Sequence, residues 1–154
     1  MPDLGKRITF VELVDTCRRI EVPQLQRDYA QGRESAKEVR DGFLDALQDA
    51  LMRPRDDVTL PLNLDFVYGS MEDNNGKYFL PLDGQQRLTT LFLLHWYLAW
   101  RDGELNAFKD IIWSGRHSRF SYAVRPSSAE FFDELVQYVP DGPPEHMPSV
   151  RKLI

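Results

Sequence analysis

Residues 88–100 would be apolar nearly all round if they form a helix. Leu88, Leu91, Phe92, Leu94, Trp96 and Leu98 leave it no broad polar face. Such a helix must be buried on most sides, so the rest of the chain has to build layers around it. The apolar run at 91–100 is interrupted by His95. It falls far short of the roughly 20 residues that a membrane span needs, so the rod belongs to a protein core.

The chain has the material for that core. It has 154 residues, 42% of them apolar and 12% aromatic. That suffices for one domain of ordinary size and excludes a disordered tail. One cysteine, Cys17, excludes a disulfide scaffold and leaves no thiolate set for zinc. The amino terminus, Met1-Pro2-Asp3-Leu4-Gly5-Lys6-Arg7, carries no apolar signal region, so no membrane partner and a cytoplasmic location are expected.

Nineteen basic residues against 24 acidic ones give a formal charge of −5. A net acidic domain is a poor general binder of polyanions. Arginine nevertheless outnumbers lysine, 14 to 5. The arginine fork grips phosphate at two points, whereas lysine offers a point charge. A codon bias toward arginine explains the same ratio.

The spacing of residues predicts the elements. Thr9 and Glu12 form a capping-box pattern that starts a short helix to about Arg19. Residues 20–23 read as a strand that Pro23 confines to an end or edge. Residues 34–52 read as a helix with Val39, Phe43, Ala46, Leu47, Ala50 and Leu51 on one face. Residues 62–68 and 77–82 read as two strands of a hairpin, with the turn signal at Asn75-Gly76. Asp83 opens the central helix, 105–113 forms another, and 120–125 is short and extended. Ser127 and Glu130 make a second capping box, opening a helix to about Val139. The expected organisation is one α+β domain over 1–139, then a proline-rich linker or the start of a further region over 140–154.

The chemistry concentrates in Asp83-Gly84-Gln85-Gln86-Arg87-Leu88-Thr89-Thr90. This is a strand end, a tight turn and a helix start. Asp83 is placed as N-cap with Gln86 as its capping partner, and Gly84 permits backbone geometry closed to other residues. Unpaired first-turn amides beside the positive end of the helix dipole suit an anion. Gln85, Gln86 and Arg87 add donors, and Thr89 and Thr90 add hydroxyls. A plain capping box ahead of a core helix uses the same residues, so both readings stand at this point. A second polar cluster, Gln24-Leu25-Gln26-Arg27-Asp28-Tyr29, follows the Pro23 strand. If the two strands are neighbours, Arg27 and Arg87 reach one pocket, and Asp83 and Asp28 can hold a metal ion or orient a water. Tyr68-Gly69-Ser70, at the hairpin tip, can approach a ligand through its backbone or be an ordinary turn. His95, His117 and His146 are scattered, and a lone histidine in the buried helix reads as a satisfied core residue.

These segments, in this order, resemble the amino-terminal domain of GmrSD-type restriction endonucleases, itself similar to the ParB and sulfiredoxin fold. Residues 120–128 followed by Phe131 and Phe132 resemble a stretch found in some members. The resemblance implies a small sheet with a β-hairpin packed against several helices. It implies a nucleotide-binding and nucleoside-triphosphate-hydrolysing module in defence against foreign or modified DNA. Gly84, Gln85, Gln86, Arg87, Thr89, Gln26 and Arg27 would then bind the nucleotide. Asp83, Gln86 and Arg87 would be catalytic, with Asp83 on Mg²⁺ or another divalent cation. Asp28, Tyr29, Tyr68, Gly69 and Ser70 would support them. DNA would be engaged through the full-length protein, with a nuclease domain or subunit not found in this chain. Two other readings remain: a ParB-like nuclease cleaving DNA directly, and a non-enzymatic piece completed by a missing domain.

Overall fold

A computed structural model of the chain describes residues 5–23, 34–73, 77–123 and 126–141. Among them it contains five α-helices and a four-stranded mixed sheet, an α+β architecture. The elements run α1 (Phe10–Thr16), β1 (Arg19–Val22), α2 (Lys37–Met52), β2 (Gly69–Asp73), β3 (Lys77–Pro81), α3 (Gln85–Arg101), α4 (Leu105–Ile112), β4 (Phe120–Tyr122) and α5 (Pro126–Gln137). No described helix is long and apolar enough to cross a membrane.

The sheet order is β2-β3-β1-β4. β1 lies between two parallel partners, with Ile20 level with both Phe79 and Phe120. It is therefore an inner strand, and Pro23 falls just past its end, where no ladder amide is required. The parallel step from β3 to β4 crosses β1 by way of α3 and α4. That route carries the central helix over the sheet.

α3 is the rod that the sequence demands. Leu88, Phe92 and Trp96, four residues apart, are buried, and Leu91, Leu93 and Trp100 pack around them. Phe92 sits at the centre. Its ring lies 5.4 Å from Phe120, 5.6 Å from Phe108 and 5.1 Å from Phe132, joining α3 to β4, α4 and α5. Stacked and edge-on pairs of this kind each add about 0.5–1.5 kcal/mol beyond their buried area.

Four sequence expectations need correction. The first strand of the hairpin is not 62–68 but Gly69–Asp73, residues read as a turn. β2 pairs with β3 residue for residue from Gly69 opposite Pro81 to Asp73 opposite Lys77. That register uses all of β3, and Asp65, at φ 65°, interrupts the extended run before it. The Asn75-Gly76 turn lies outside the described residues. α1 ends at Thr16 rather than Arg19, because Arg19 already belongs to β1. α5 begins at Pro126, so Ser127 lies inside its first turn rather than capping it. Finally, the apolar face of α2 is mostly uncovered: Leu47 is buried, but Val39, Leu51 and Met52 are 68%, 58% and 79% exposed. Among the described residues, no α2 side chain belongs to the main hydrophobic core cluster.

Candidate functional site

The start of α3 is built by two pieces of backbone. β3 ends at Pro81, and the chain then turns through 82–84. The Leu82 and Asp83 amides both donate to the Tyr68 carbonyl, at 2.8 and 3.1 Å. Gly84 follows at φ 80°, ψ 9°, a left-handed conformation that favours glycine. A Cβ there would come within 2.6 Å of Val67 Cγ2. So 66–68 lies against the turn, and only a residue without a side chain fits between them.

This geometry revises the capping expectation. Gly84, not Asp83, is the N-cap, and no side chain caps the helix. A capping side chain reaches back from a residue in extended geometry. Here that position is left-handed and has no side chain. The first intrahelical bond runs from the Leu88 amide to the Gly84 carbonyl, 3.0 Å. The amides of Gln85, Gln86 and Arg87 therefore lack intrahelical acceptors and point out of the helix start.

The side chains divide into two groups. Gln85 is buried, and its amide nitrogen donates to the Pro81 carbonyl at 2.9 Å and to the Leu82 carbonyl at 3.4 Å. Thr89 is buried one turn on. Its hydroxyl donates to the Gln85 carbonyl (2.9 Å) and meets the Tyr122 hydroxyl (2.7 Å). Gln85 and Thr89 thus hold the helix start to β3 and β4. Thr90 is buried as well. Asp83, Gln86 and Arg87 form the second group, at the surface of the turn. Arg87 Nη2 donates to the Phe66 carbonyl across 2.6 Å and stands 3.9 Å from an Asp83 carboxylate oxygen. Asp83 is more than half exposed and Gln86 half-buried.

Tyr68, Gly69 and Ser70 are not a hairpin tip. Gly69 and Ser70 begin β2 opposite Pro81 and Leu80. A Cβ on Gly69 would overlap the Leu80 carbonyl oxygen, so this glycine is required by close strand approach. The Tyr68 side chain is exposed. Gln26, Arg27, Asp28 and Tyr29 lie outside the described residues.

Phe66 and Val67 were missed by sequence reasoning. They sit in a run that reads as strand, and their role comes from an approach across 21 residues of chain that no local pattern encodes. His95 behaves as expected: its Nδ1 bonds the Leu91 carbonyl at 2.7 Å and its ring packs 4.8 Å from Phe10.

Among the described residues no group of three His, Cys, Asp or Glu side chains could hold a metal ion. Asp83 presents a single exposed carboxylate at the turn, and an Mg²⁺ brought in with phosphates would need only one or two carboxylates from the protein. A cleft of about 320 Å³ lies elsewhere, lined by Phe131, Glu134, Leu135, Gln137 and Tyr138, with no residue of the α3 turn.

No curated protein and no solved structure matches the chain. The family described as "GmrSD restriction endonuclease, N-terminal domain" matches residues 10–151. That span contains the β3–α3 turn, the β2–β3 hairpin and every helix just described. The chain therefore belongs to the family of GmrSD restriction endonuclease N-terminal domains, part of a restriction and phage-defence protein.

Proposed function

We propose that the β3–α3 turn binds the phosphates of a nucleoside triphosphate, and that the domain hydrolyses it as the nucleotide-dependent part of a restriction system. One observation supports the reading: Arg87, in the first turn of α3, has its guanidinium fixed by a bond to the Phe66 carbonyl, 2.6 Å away. Amides that point out of a helix start and a fixed arginine fork are the two devices that grip phosphate oxygens.

The roles follow from position. The Gln85, Gln86 and Arg87 amides cradle a phosphate, with Gly84 setting their direction. The Arg87 fork neutralises its charge, and the Gln86 side chain donates to an oxygen or aligns the attacking water. Gln85 and Thr89 hold the cradle in place. Asp83 would hold an Mg²⁺ brought in with the nucleotide, which when bound would offset the developing phosphate charge. Gln26, Arg27, Asp28 and Tyr29 would complete the pocket, with Tyr68, Gly69 and Ser70 supporting it. DNA would be engaged through the full-length protein, with cleavage left to a nuclease domain or subunit outside this chain. The charge of −5 favours a nucleotide over direct gripping of a DNA duplex.

Isothermal titration with nucleoside triphosphates and Mg²⁺ tests the site. Binding by the wild type and at least tenfold weaker binding by Arg87→Ala are expected, along with phosphate release that the variant loses. Equal affinity in the two proteins would refute the assignment. Plasmid nicking without nucleotide would favour a nuclease that cuts DNA directly.

A further inference from the structure

We infer that the free edge of β2 takes an extended basic peptide as a fifth strand of the sheet. Such docking needs no ligand at the α3 turn.

β2 stands at one end of the sheet and, among the described residues, pairs only with β3. The direction of its backbone follows from its neighbours. The Arg18 amide donates to the Lys77 carbonyl at 3.0 Å, so Lys77 turns its backbone groups toward β1. Phe79 and Pro81 do the same by alternation, which leaves Tyr78 and Leu80 to bond Glu72 and Ser70. The Leu82 amide on the Tyr68 carbonyl continues the pattern, with 68, 70 and 72 facing β3. The backbone amides and carbonyls of Gly69, Met71 and Asp73 therefore point away from the sheet.

The side chains make the same edge apolar. Phe120, Ile20, Phe79 and Met71 stand level across the four strands, on one side of the sheet. The first three are at most 8% exposed, whereas Met71 is 54% exposed. A row of the core thus runs out to the edge and stops uncovered. Free edges are usually blunted by lysine, proline or a bulge. Gly69–Asp73 holds neither residue and pairs without a bulge. β4, at the opposite end, is covered. Its three residues are buried, and the Phe120 and Tyr122 rings lie 5.2 and 5.8 Å from Phe132 of α5.

Charge and area choose the occupant. The charged residues of β2 are both acidic, Glu72 and Asp73, and Glu72 is exposed. Met71 and Glu72, as neighbours in a strand, lie on opposite sides of the sheet. A fifth strand therefore fits when apolar residues, in line with Met71, alternate with basic residues beside Glu72. A second copy of the chain fits poorly, because it brings another charge of −5. The edge is also too small for it: a strip about 17 Å long and about 10 Å thick falls well short of the roughly 800 Å² that each partner gives a stable interface. A peptide instead gains its affinity from main-chain bonds along the edge.

Anisotropy titrations of the full chain with a fluorescein-labelled Lys-Val-Lys-Val-Lys-Val-Lys peptide test the edge. The controls are Glu-Val-Glu-Val-Glu-Val-Glu and the block peptide Lys-Lys-Lys-Lys-Val-Val-Val. The alternating basic peptide should bind roughly tenfold more tightly than either control. In the free chain the Met71 amide should exchange its hydrogen fast and the Ser70 and Glu72 amides slowly, and the peptide should slow Met71 by roughly tenfold or more. Met71→Pro removes an outward amide but no ladder bond, so it should weaken the peptide by roughly tenfold. If that variant does not fold, Met71→Lys, which sets a like charge against the peptide, should show the same loss. Absence of binding would overturn the inference, as would binding that leaves the Met71 amide fast or equal binding of either control. A Met71 amide already slow in the free chain would also overturn it, and slowing that grows with protein concentration would assign the edge to a second copy.

Discussion

Arg87 Nη2 donates to the Phe66 carbonyl across 2.6 Å, so the arginine at the mouth of the central helix is also the clasp that holds the preceding loop. The side chain is about one-quarter exposed. Arg87→Ala should therefore lower stability as well as ligand binding. Loss of one charge-assisted bond at a partly exposed site costs about 1–2 kcal/mol. For a chain of this size that is a fall of roughly 3–6 °C in Tm. Thermal unfolding followed by circular dichroism checks this. An unchanged Tm would mean that the clasp adds nothing to the fold.

Gly84 tests whether the turn tolerates any side chain. Gly84→Ala meets two penalties: a left-handed backbone, costing about 1–2 kcal/mol, and a Cβ only 2.6 Å from Val67 Cγ2. A total loss of about 2–4 kcal/mol is expected, read from urea midpoints. Val67→Ala in the same chain removes the Cγ2 contact but not the strained φ. The double variant should therefore recover part of the loss relative to the sum of the singles. Simple additivity would show that the crowding relaxes by itself.

The sequence made the rod, a strand near residue 20, the Thr9 cap and the pairing of a hairpin legible, because each is written locally, but not that β1 lies inside the sheet. The apolar residues of 88–100 recur round the helix, and Thr9 and Glu12 are three apart. The hairpin register was not legible. It depends on Gly69 fitting against the Leu80 carbonyl, a contact between strands. Asp83 was misread as the cap for a related reason, since the left-handed turn at Gly84 answers to Val67, seventeen positions earlier. In the candidate site the pattern gave the residue types but not their directions. Gln85 and Gln86 are equivalent on paper, yet Gln85 is buried and donates to the Pro81 carbonyl at the end of β3, whereas Gln86 is only half-buried.

The capping box of α1 should make acid stability depend on Glu12. The Thr9 amide donates to the Glu12 carboxylate at 2.7 Å, and the Glu12 amide donates to the Thr9 hydroxyl at 3.1 Å. The Thr9 backbone bond, and then its side chain, hold the Glu12 carboxyl below its ordinary value of 4.5. A carboxyl lowered in the folded state favours folding above its ordinary value, and that contribution fades as pH falls through the folded one. Wild type should therefore lose more stability than Glu12→Gln between roughly pH 6 and pH 3. Thr9→Ala should cost about 1 kcal/mol at neutral pH. Parallel acid profiles for wild type and Glu12→Gln would remove the carboxylate from the account.

Cys17 should be inert while the protein is folded. It is 2% exposed, and burial raises its thiol pKa, with the Lys77 charge only partly opposing that. The reactive thiolate is scarce and shielded at neutral pH. A thiol reagent should label it slowly in buffer and quickly in denaturant. Fast labelling in buffer would show that the α1–β1 corner opens readily.

Tyr122 and Thr89 join β4 to the first turns of α3 through hydroxyls 2.7 Å apart, both buried. Thr89 donates its own proton to the Gln85 carbonyl at 2.9 Å, so the Tyr122 hydroxyl is the donor between the two. Tyr122→Phe removes that donor and leaves a threonine oxygen short of one partner, at a cost of about 1 kcal/mol. Thr89→Val removes both the contact with Tyr122 and the bond to the Gln85 carbonyl, so it should cost more. The double variant should be less damaging than the sum, because both single changes remove the same Thr89–Tyr122 contact. Ligand affinity at the turn should hardly move in Tyr122→Phe, since Gln85 is held separately by the Pro81 and Leu82 carbonyls. Urea midpoints and phosphate titrations on the same samples separate these effects. A Tyr122→Phe variant with full stability but weakened phosphate binding would mean that the hydroxyl pair tunes the cradle rather than the core.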